Sequence, residues 1–187
     1  MENELLTNYV IIYDTLCIDP VSFDGKIYSH VLELENEFTV ALKPLDIIKR
    51  SCIYYGSSYQ GKKVSSKQIL RTPHKAPIAV DLTNSIYFFP TGSPDNHFTT
   101  SWISADHILR YDEVRPKETL VEFQNNKKQT FSISLRSFKN QVQNAAVLCT
   151  ELTRRMKKMK RRSVQFQDMQ YMQMIREIGR NLDNQDF

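Results

Sequence analysis

Two blocks of basic residues are the groups whose type and spacing point most clearly to a chemical role. Residues 1–42 carry eight acidic residues and one basic residue, whereas residues 43–75 carry eight basic residues and one acidic residue. A second block places seven basic residues and no acidic residue in positions 154–162. Its members are Arg154, Arg155, Lys157, Lys158, Lys160, Arg161 and Arg162. Cations at this density neutralise phosphates and release counterions, which is the footprint of nucleic-acid binding.

The basic blocks also have two other interpretations. A run of charges on a helix is often a solvated face. It can also bind an acidic protein, in which case the chain would be an interaction module without DNA specificity. The net charge of +4 is modest and does not decide between these possibilities.

Groups suited to catalysis or metal binding do not form a motif. The sequence contains no G-x-S-x-G, H-E-x-x-H, Walker A or G-x-G-x-x-G pattern. Cys52 and His74 could pair as nucleophile and base, but a cysteine on an apolar helical stripe is typical of a core. The other three histidines share no ligand spacing, and the three cysteines lack C-x-x-C spacing. We therefore predict no enzyme, no metal site and no cofactor.

Residues 43–75, the first basic block, are predicted to begin with a helix followed by an exposed loop. Pro44 opens a segment whose apolar residues recur at helical spacing, and Gly56 follows as a stop signal. We therefore predict a helix at about 44–55. The polar, glycine-containing segment 56–63 predicts an exposed loop.

The rest of residues 1–136 has the composition of a β-rich body. Strand-like runs cover 8–18, 26–42, 77–81, 85–89, 100–104, 107–111, 120–123 and 130–133. Glu35-Asn36 predicts one hairpin turn, and Asn125-Asn126 predicts another because asparagine tolerates positive φ. Among the aromatic residues, Trp102, Phe88, Phe89, Tyr54 and Tyr55 fit a core, although aromatics between lysines also suit stacking on RNA or single-stranded DNA.

Helical periodicity dominates residues 137–187. Ser137 is a candidate N-cap for a helix of about 22 residues that ends in the second basic block. A last helix is predicted at 168–181, with methionines and isoleucines on one face. The fold class is thus α+β: a β-rich body (1–136) with an inserted helix and basic loop, then two C-terminal helices (137–187) for assembly or partner binding.

The central block also carries a family resemblance. Its segments are Lys43-Pro44-Leu45, Arg50-Ser51-Cys52, Gly56-Ser57-Ser58-Tyr59, Gly61-Lys62-Lys63, His74-Lys75, Pro77-Ile78, Val80-Asp81, Phe88-Phe89-Pro90-Thr91 and Trp102-Ile103-Ser104. In this order and near-spacing they resemble the ComK family of competence transcription factors. The resemblance covers residues 40–107, weakens near Ser137, and fades over residues 1–25 and beyond 150.

The resemblance implies a cytoplasmic, nucleoid-associated activator of DNA-uptake genes. Such a protein binds paired A-tract and T-tract boxes of double-stranded DNA from the minor-groove side and assembles from dimers. Narrow A-tract minor grooves attract inserted cations, and Arg50, Lys62 and Lys63 are the leading candidates for insertion. The full candidate DNA-binding set is Lys43, Lys49, Arg50, Ser57, Ser58, Tyr59, Lys62, Lys63, Lys67, Arg71, His74 and Lys75.

The resemblance further implies an adaptor protein that delivers the factor to a protease through a C-terminal aromatic motif. Phe166, Met169 and Tyr171 lie in the corresponding place and are the candidate partner-binding residues. This stretch departs from the family pattern because it lacks the proline and the following lysine. No apolar run approaches the ~20 residues needed to cross a bilayer, so we predict no membrane contact.

Overall fold

A computed structural model describes residues 5–72 and 74–183 of the 187-residue chain, with side-chain surroundings as far as residue 176. The chain divides between Thr150 and Glu151 into two compact units. We call the residues up to Thr150 the body and those from Glu151 the C-terminal unit.

The body has an α+β architecture, as predicted. Its strands are β1 (Leu5–Leu6), β2 (Thr15–Phe23), β3 (Lys26–Glu33), β4 (Glu37–Val40), β5 (Ile78–Asp81), β6 (Ile86–Pro90), β7 (Trp102–Ser104), β8 (Ile108–Arg115), β9 (Glu118–Phe123) and β10 (Lys128–Phe131). The helices are α1 (Pro44–Tyr54), α2 (Tyr59–Leu70) and α3 (Leu135–Asp183).

A seven-stranded sheet forms the centre of the body. Its order is β1-β4-β3-β2-β7-β6-β5, and all pairs are antiparallel except β1 with β4. Both faces are buried: Phe88 and Trp102 belong to one core, while the next residues, Phe89 and Ile103, belong to the other. Helices α1 and α2 contribute to the first core, and the second sheet (β10-β9-β8) and the start of α3 contribute to the second.

Helix α1 forms as its sequence predicts. The apolar stripe residues Leu45, Ile48 and Cys52 are buried in the first core. Gly56, at φ +72°, follows the helix end in the left-handed region that glycine adopts without strain. The expectation that Tyr54 is core was wrong, because this ring is 70% exposed on the opposite side of the helix.

Helix α2 replaces most of the predicted exposed loop 56–63. Ser58 caps the helix, since its Oγ accepts a hydrogen bond of 3.1 Å from the Gly61 N–H. Tyr59 then anchors the first turn in the core, where its ring lies edge-on to Trp102. The loop prediction was wrong because the segment has almost no apolar stripe: Tyr59 and Ser66 are the buried residues of α2.

Two hairpins confirm the turn predictions, whereas the first strand was predicted too early. Asn126 takes φ +64° in the β9–β10 turn, and β3 and β4 flank Glu35-Asn36. Most of segment 8–18 precedes β2 and is held by α1 instead. The Ile11 N–H donates to Ser51 Oγ at 2.9 Å, and the Tyr55 hydroxyl donates to the Ile11 carbonyl at 2.9 Å.

One continuous helix, α3, replaces the two C-terminal helices that were predicted. The prediction was wrong because residues 160–168 contain no glycine or proline to end a helix. Ser134, and not Ser137, caps α3: the Ser134 carbonyl accepts from the Phe138 N–H, and its Oγ accepts from the Ser137 N–H. Within the described residues, no helix is both long and apolar enough to span a membrane.

Buried His107 makes the stability of the body dependent on pH. Its Nδ1 lies 2.9 Å from Ser104 Oγ, its ring packs edge-on to Tyr13, and its buried Nε2 has no hydrogen-bond partner among the described residues. Burial lowers the pKa of His107, while the nearby carboxylates of Asp106 and Asp14 act in the opposite direction. The folded body therefore favours the neutral ring.

We predict that His107 contributes a loss of stability as the pH falls below about 6.5, because the unfolded chain then takes up a proton that the folded chain resists. In urea unfolding experiments, the free energy of unfolding should decline less between about pH 7 and about pH 5 for His107→Gln than for the parent. The other three histidines remain in both proteins. An equal decline in both would contradict this origin of the pH dependence.

Candidate nucleic-acid interface

A cleft beside α2 gathers four of the predicted cationic residues. Lys63, Lys67, His74 and Lys75 line a cavity of about 210 Å³. The remaining lining residues are Tyr59, Ala76, Ser93, Pro94 and Asp95. We call these nine residues the cationic cleft. With three lysines against one carboxylate, the cleft suits an anionic ligand such as a phosphate.

Helix geometry produces this concentration of charge. Lys63, Lys67 and Arg71 follow one another at intervals of four residues, so their side chains fall along one side of α2. Arg71 ends the helix in the left-handed region at φ +52° and is exposed. Cations in the last turn also interact favourably with the carbonyl end of the helix.

Tyr59, a member of the candidate DNA-binding set, packs into the first core beside the cleft. Its side chain is almost fully buried, and burial raises the pKa of the phenol to about 12. Lys63 Nζ lies 5.7 Å from the centre of the Tyr59 ring, a distance that allows a cation–π interaction. Tyr59 thus forms an apolar wall of the cleft and positions the Lys63 ammonium group.

Lys62, the neighbour of Lys63, points into the body. Its ammonium group donates hydrogen bonds to the carbonyls of Ala79 at 2.7 Å and Val80 at 2.5 Å, both on β5. Burial lowers the pKa of Lys62, and the nearby carboxylate of Asp81 opposes that shift. The Lys62 cation is therefore already used to attach α2 to the edge of the sheet.

The predicted residues around α1 are more dispersed. Lys43 is exposed just before the helix, and Lys49 forms an exposed ion pair of 3.9 Å with Asp46. Arg50 donates to Asn8 Oδ1 at 3.1 Å, an exposed contact that water or phosphate can replace. Ser58 is occupied as the cap of α2, while Ser57 donates its N–H to the Cys52 carbonyl.

Sequence reasoning missed the part of the cleft formed by the β6–β7 connection. Ser93, Pro94 and Asp95 come from this loop, about 20 residues beyond the basic block. No charge pattern marks them, and only the pairing of β5 with β6 and β6 with β7 brings their loop beside α2.

The proposed nucleophile of the enzyme alternative is inaccessible. Cys52 is fully buried, and burial raises the pKa of its thiol to about 11. His74, by contrast, is exposed in the cationic cleft. Among the described residues, no group of three or more His, Cys, Asp or Glu side chains is placed to hold a metal ion.

The C-terminal unit holds the second basic block and the predicted partner-binding residues. Phe166, Met169 and Tyr171 are all more than half exposed on α3. At about 100° per residue, Phe166 and Met169 lie about 60° apart, whereas Tyr171 lies well over 100° from both. The three side chains therefore do not share one face while this segment is helical.

Comparison with known proteins assigns the chain to a family. The family model described as ComK protein matches residues 6–157. The chain belongs to the ComK family. It is 38% identical over 146 residues to the competence transcription factor of Bacillus subtilis strain 168, covering 78% of this chain and 76% of that protein. No solved structure matches it significantly.

The ComK match includes the cationic cleft and α1 but stops inside the second basic block. Residues 158–187, most of the C-terminal unit, lie beyond the matched range. Family membership therefore supports inferences about the body more strongly than inferences about the end of α3.

We predict that Lys62→Ala lowers the free energy of unfolding by about 1–3 kcal/mol, because two β5 carbonyls lose charged hydrogen-bond donors. Lys63→Ala is the matched control, since Lys63 is an adjacent lysine of the same helix, and we expect it to leave stability nearly unchanged. Urea denaturation followed by circular dichroism measures both. Equal stabilities of the two variants would contradict the structural role of Lys62.

We also predict that Cys52 reacts slowly with a thiol reagent in the native protein and rapidly after unfolding, because the thiol is buried and its pKa is raised. Peptide mass mapping distinguishes Cys52 from the partly exposed Cys149, which serves as an internal positive control. Fast labelling of Cys52 in the native protein would instead support the hypothesis that Cys52 is a nucleophile.

Proposed function

We propose that this chain is a transcriptional activator of competence genes that binds AT-rich double-stranded DNA. The observation that carries the proposal is the cationic cleft, in which Lys63, Lys67 and Lys75 converge around a single cavity. Membership of the ComK family and the relative named a competence transcription factor support the same function. We propose that DNA phosphates are the anionic ligand of this cleft.

The proposed binding mode combines phosphate contacts with recognition of DNA shape. Lys63, Lys67 and Lys75 hold the backbone, which fixes the register of the protein without reading sequence. An A-tract narrows the minor groove and concentrates negative potential there, so inserted cations favour it over mixed sequence. Arg50 and Arg71, both exposed, are the proposed groove-reading residues. Lys62 is not among them, because its ammonium group holds α2 on β5.

The protein is also proposed to assemble on DNA and to be regulated by proteolysis. Paired A-tract and T-tract boxes call for two copies of the DNA-binding surface, so we propose a homodimer that assembles further on DNA. We place DNA binding in residues 1–136, and the helical region 137–187 serves assembly or partners. An adaptor that binds around Phe166, Met169 and Tyr171 would control proteolysis, and the protein would act at the nucleoid in the cytoplasm.

Fluorescence anisotropy tests this function. The protein is titrated against an A-tract/T-tract duplex, a GC-rich duplex and an A-rich single strand across a salt series. We predict tighter binding to the A-tract duplex and a steep salt dependence for both duplexes. The double variant Lys63→Ala, Lys67→Ala should lower the magnitude of the log–log salt slope by about 2, since each lost phosphate contact removes ~0.9.

The double variant Lys26→Ala, Lys117→Ala is the matched control, because it removes two exposed lysines outside the cleft. It should retain most of the affinity and salt slope. Equal affinity for both duplexes would contradict shape recognition. Preference for the single strand would instead favour the alternative of RNA or single-stranded DNA binding, to which exposed Tyr54 could contribute a stacking surface.

A further inference from the structure

The second basic block is a dense, exposed run of positive charge on α3. All residues from 154 to 162 are exposed. Arg154 and Arg155 form ion pairs with Glu151 at 2.9 and 2.8 Å. Within the described part of the chain, the other five cations of the block form no ion pair. These five charges are therefore available to an external anion.

The block also accounts for the positive charge of the whole protein. The chain has 25 basic and 21 acidic residues, so removing these seven leaves 18 basic residues and a net charge of −3. Long-range attraction of a polyanion, which depends on net charge and its distribution, must therefore draw strongly on this segment. Without it, the net charge of the molecule would be negative.

The density of positive charge along the helix axis is comparable to the density of negative charge along a nucleic-acid duplex. Positions 154–162 span about 12 Å of helix axis at ~1.5 Å per residue, which gives roughly one positive charge per 1.7 Å. Double-stranded DNA carries one negative charge per ~1.7 Å of its own axis.

The distribution of charge around α3 disfavours a second copy of the same segment as the partner. At about 100° per residue, the seven cations cover about 220° of the circumference, and Leu152, Met156 and Met159 occupy the remainder. Two such helices in contact along the apolar stripe would bring cations together on both flanks. A polyanion, by contrast, gains from every side chain that can reach it.

We infer that residues 154–162 form a second contact with double-stranded DNA, separate in sequence from the cationic cleft and independent of base sequence. This inference rests on the proposed function and extends it to a segment that the ComK match enters only as far as residue 157. The long Lys and Arg side chains bind phosphates as point charges or bidentate pairs and add affinity without selecting a site.

Substitution of four cations tests the inference in the full-length protein. The block variant carries Lys157→Gln, Lys158→Gln, Lys160→Gln and Arg161→Gln, because glutamine keeps a high helix propensity. The control variant carries Lys26→Gln, Arg115→Gln, Lys117→Gln and Lys139→Gln, four exposed body residues outside the cationic cleft. Both variants have the same net charge. Circular dichroism checks that their helical content equals that of the parent.

We expect the block variant to lose up to about 3–4 in the magnitude of the log–log salt slope, at ~0.9 for each phosphate contact. The loss should be equal on A-tract and GC-rich duplexes, so the ratio of the two affinities stays unchanged. The control variant should lose clearly less.

Two outcomes would overturn the inference. In the first, the block and control variants have the same salt slope on both duplexes. In the second, the block variant keeps its DNA affinity but loses binding to vesicles containing anionic lipid, which would assign the segment to a membrane surface. An A-tract preference that survives either outcome leaves the proposed function intact, whereas a parent protein that binds neither duplex removes both proposals.

Discussion

The burial of the seven-stranded sheet on both faces is the constraint on which the rest of the body depends. Each central strand must be apolar on both sides, as Phe88-Phe89 and Trp102-Ile103 are. Burial of a large side chain stabilises by about 1.5–3 kcal/mol, so α1 and α2 cannot leave this surface without a large loss of free energy. Their buried sides are thereby assigned to packing, and cations can occupy the sides that face solvent.

Lys62 and Lys63 show how strictly that division applies to single residues. They are adjacent on α2 and therefore point about 100° apart. Lys62 donates to two carbonyls of β5, while Lys63 lines the cleft above Tyr59. Lys62 attaches the helix to β5, and this attachment sets the position from which Lys63 faces the cleft. The cationic cleft thus depends on Lys62, a cation that points into the body and does not line the cleft.

Local signals in the sequence predicted the elements that local physics determines. Pro44, Gly56 and the apolar stripe between them marked α1, and Asn126 marked the β9–β10 turn. Helix α2 was missed because its stability comes from Tyr59 against Trp102 and from Lys62 on β5, contacts that span 17 or more residues. The break predicted within α3 failed for a different reason, since periodicity alone does not show where a helix ends.

The candidate site was predictable in charge but not in shape. Lys63, Lys67, His74 and Lys75 were all in the predicted set because the basic run itself was visible. The contributions of Ser93 and Asp95 come from strand order, which the sequence does not display.

The inward orientation of Lys62 could not be predicted either, because the sequence of a basic run does not show which of its side chains are buried. The carbonyls of Ala79 and Val80 become its acceptors only once β5 lies beside α2. A basic block therefore overstates the number of cations available to a ligand whenever its helix packs on a sheet.

We propose that the two cationic regions contribute to DNA binding in physically different ways. Lys63 lies over the buried Tyr59 ring, so the cleft offers phosphates a charge at a defined position, and such backbone contacts set the register from which Arg50 and Arg71 reach the groove. The charges at 154–162 lie on exposed side chains, and in the proposed second contact they respond to charge density alone. In this proposed arrangement, defined phosphate contacts support discrimination by groove width at the neighbouring arginines, whereas the exposed block adds affinity for any duplex.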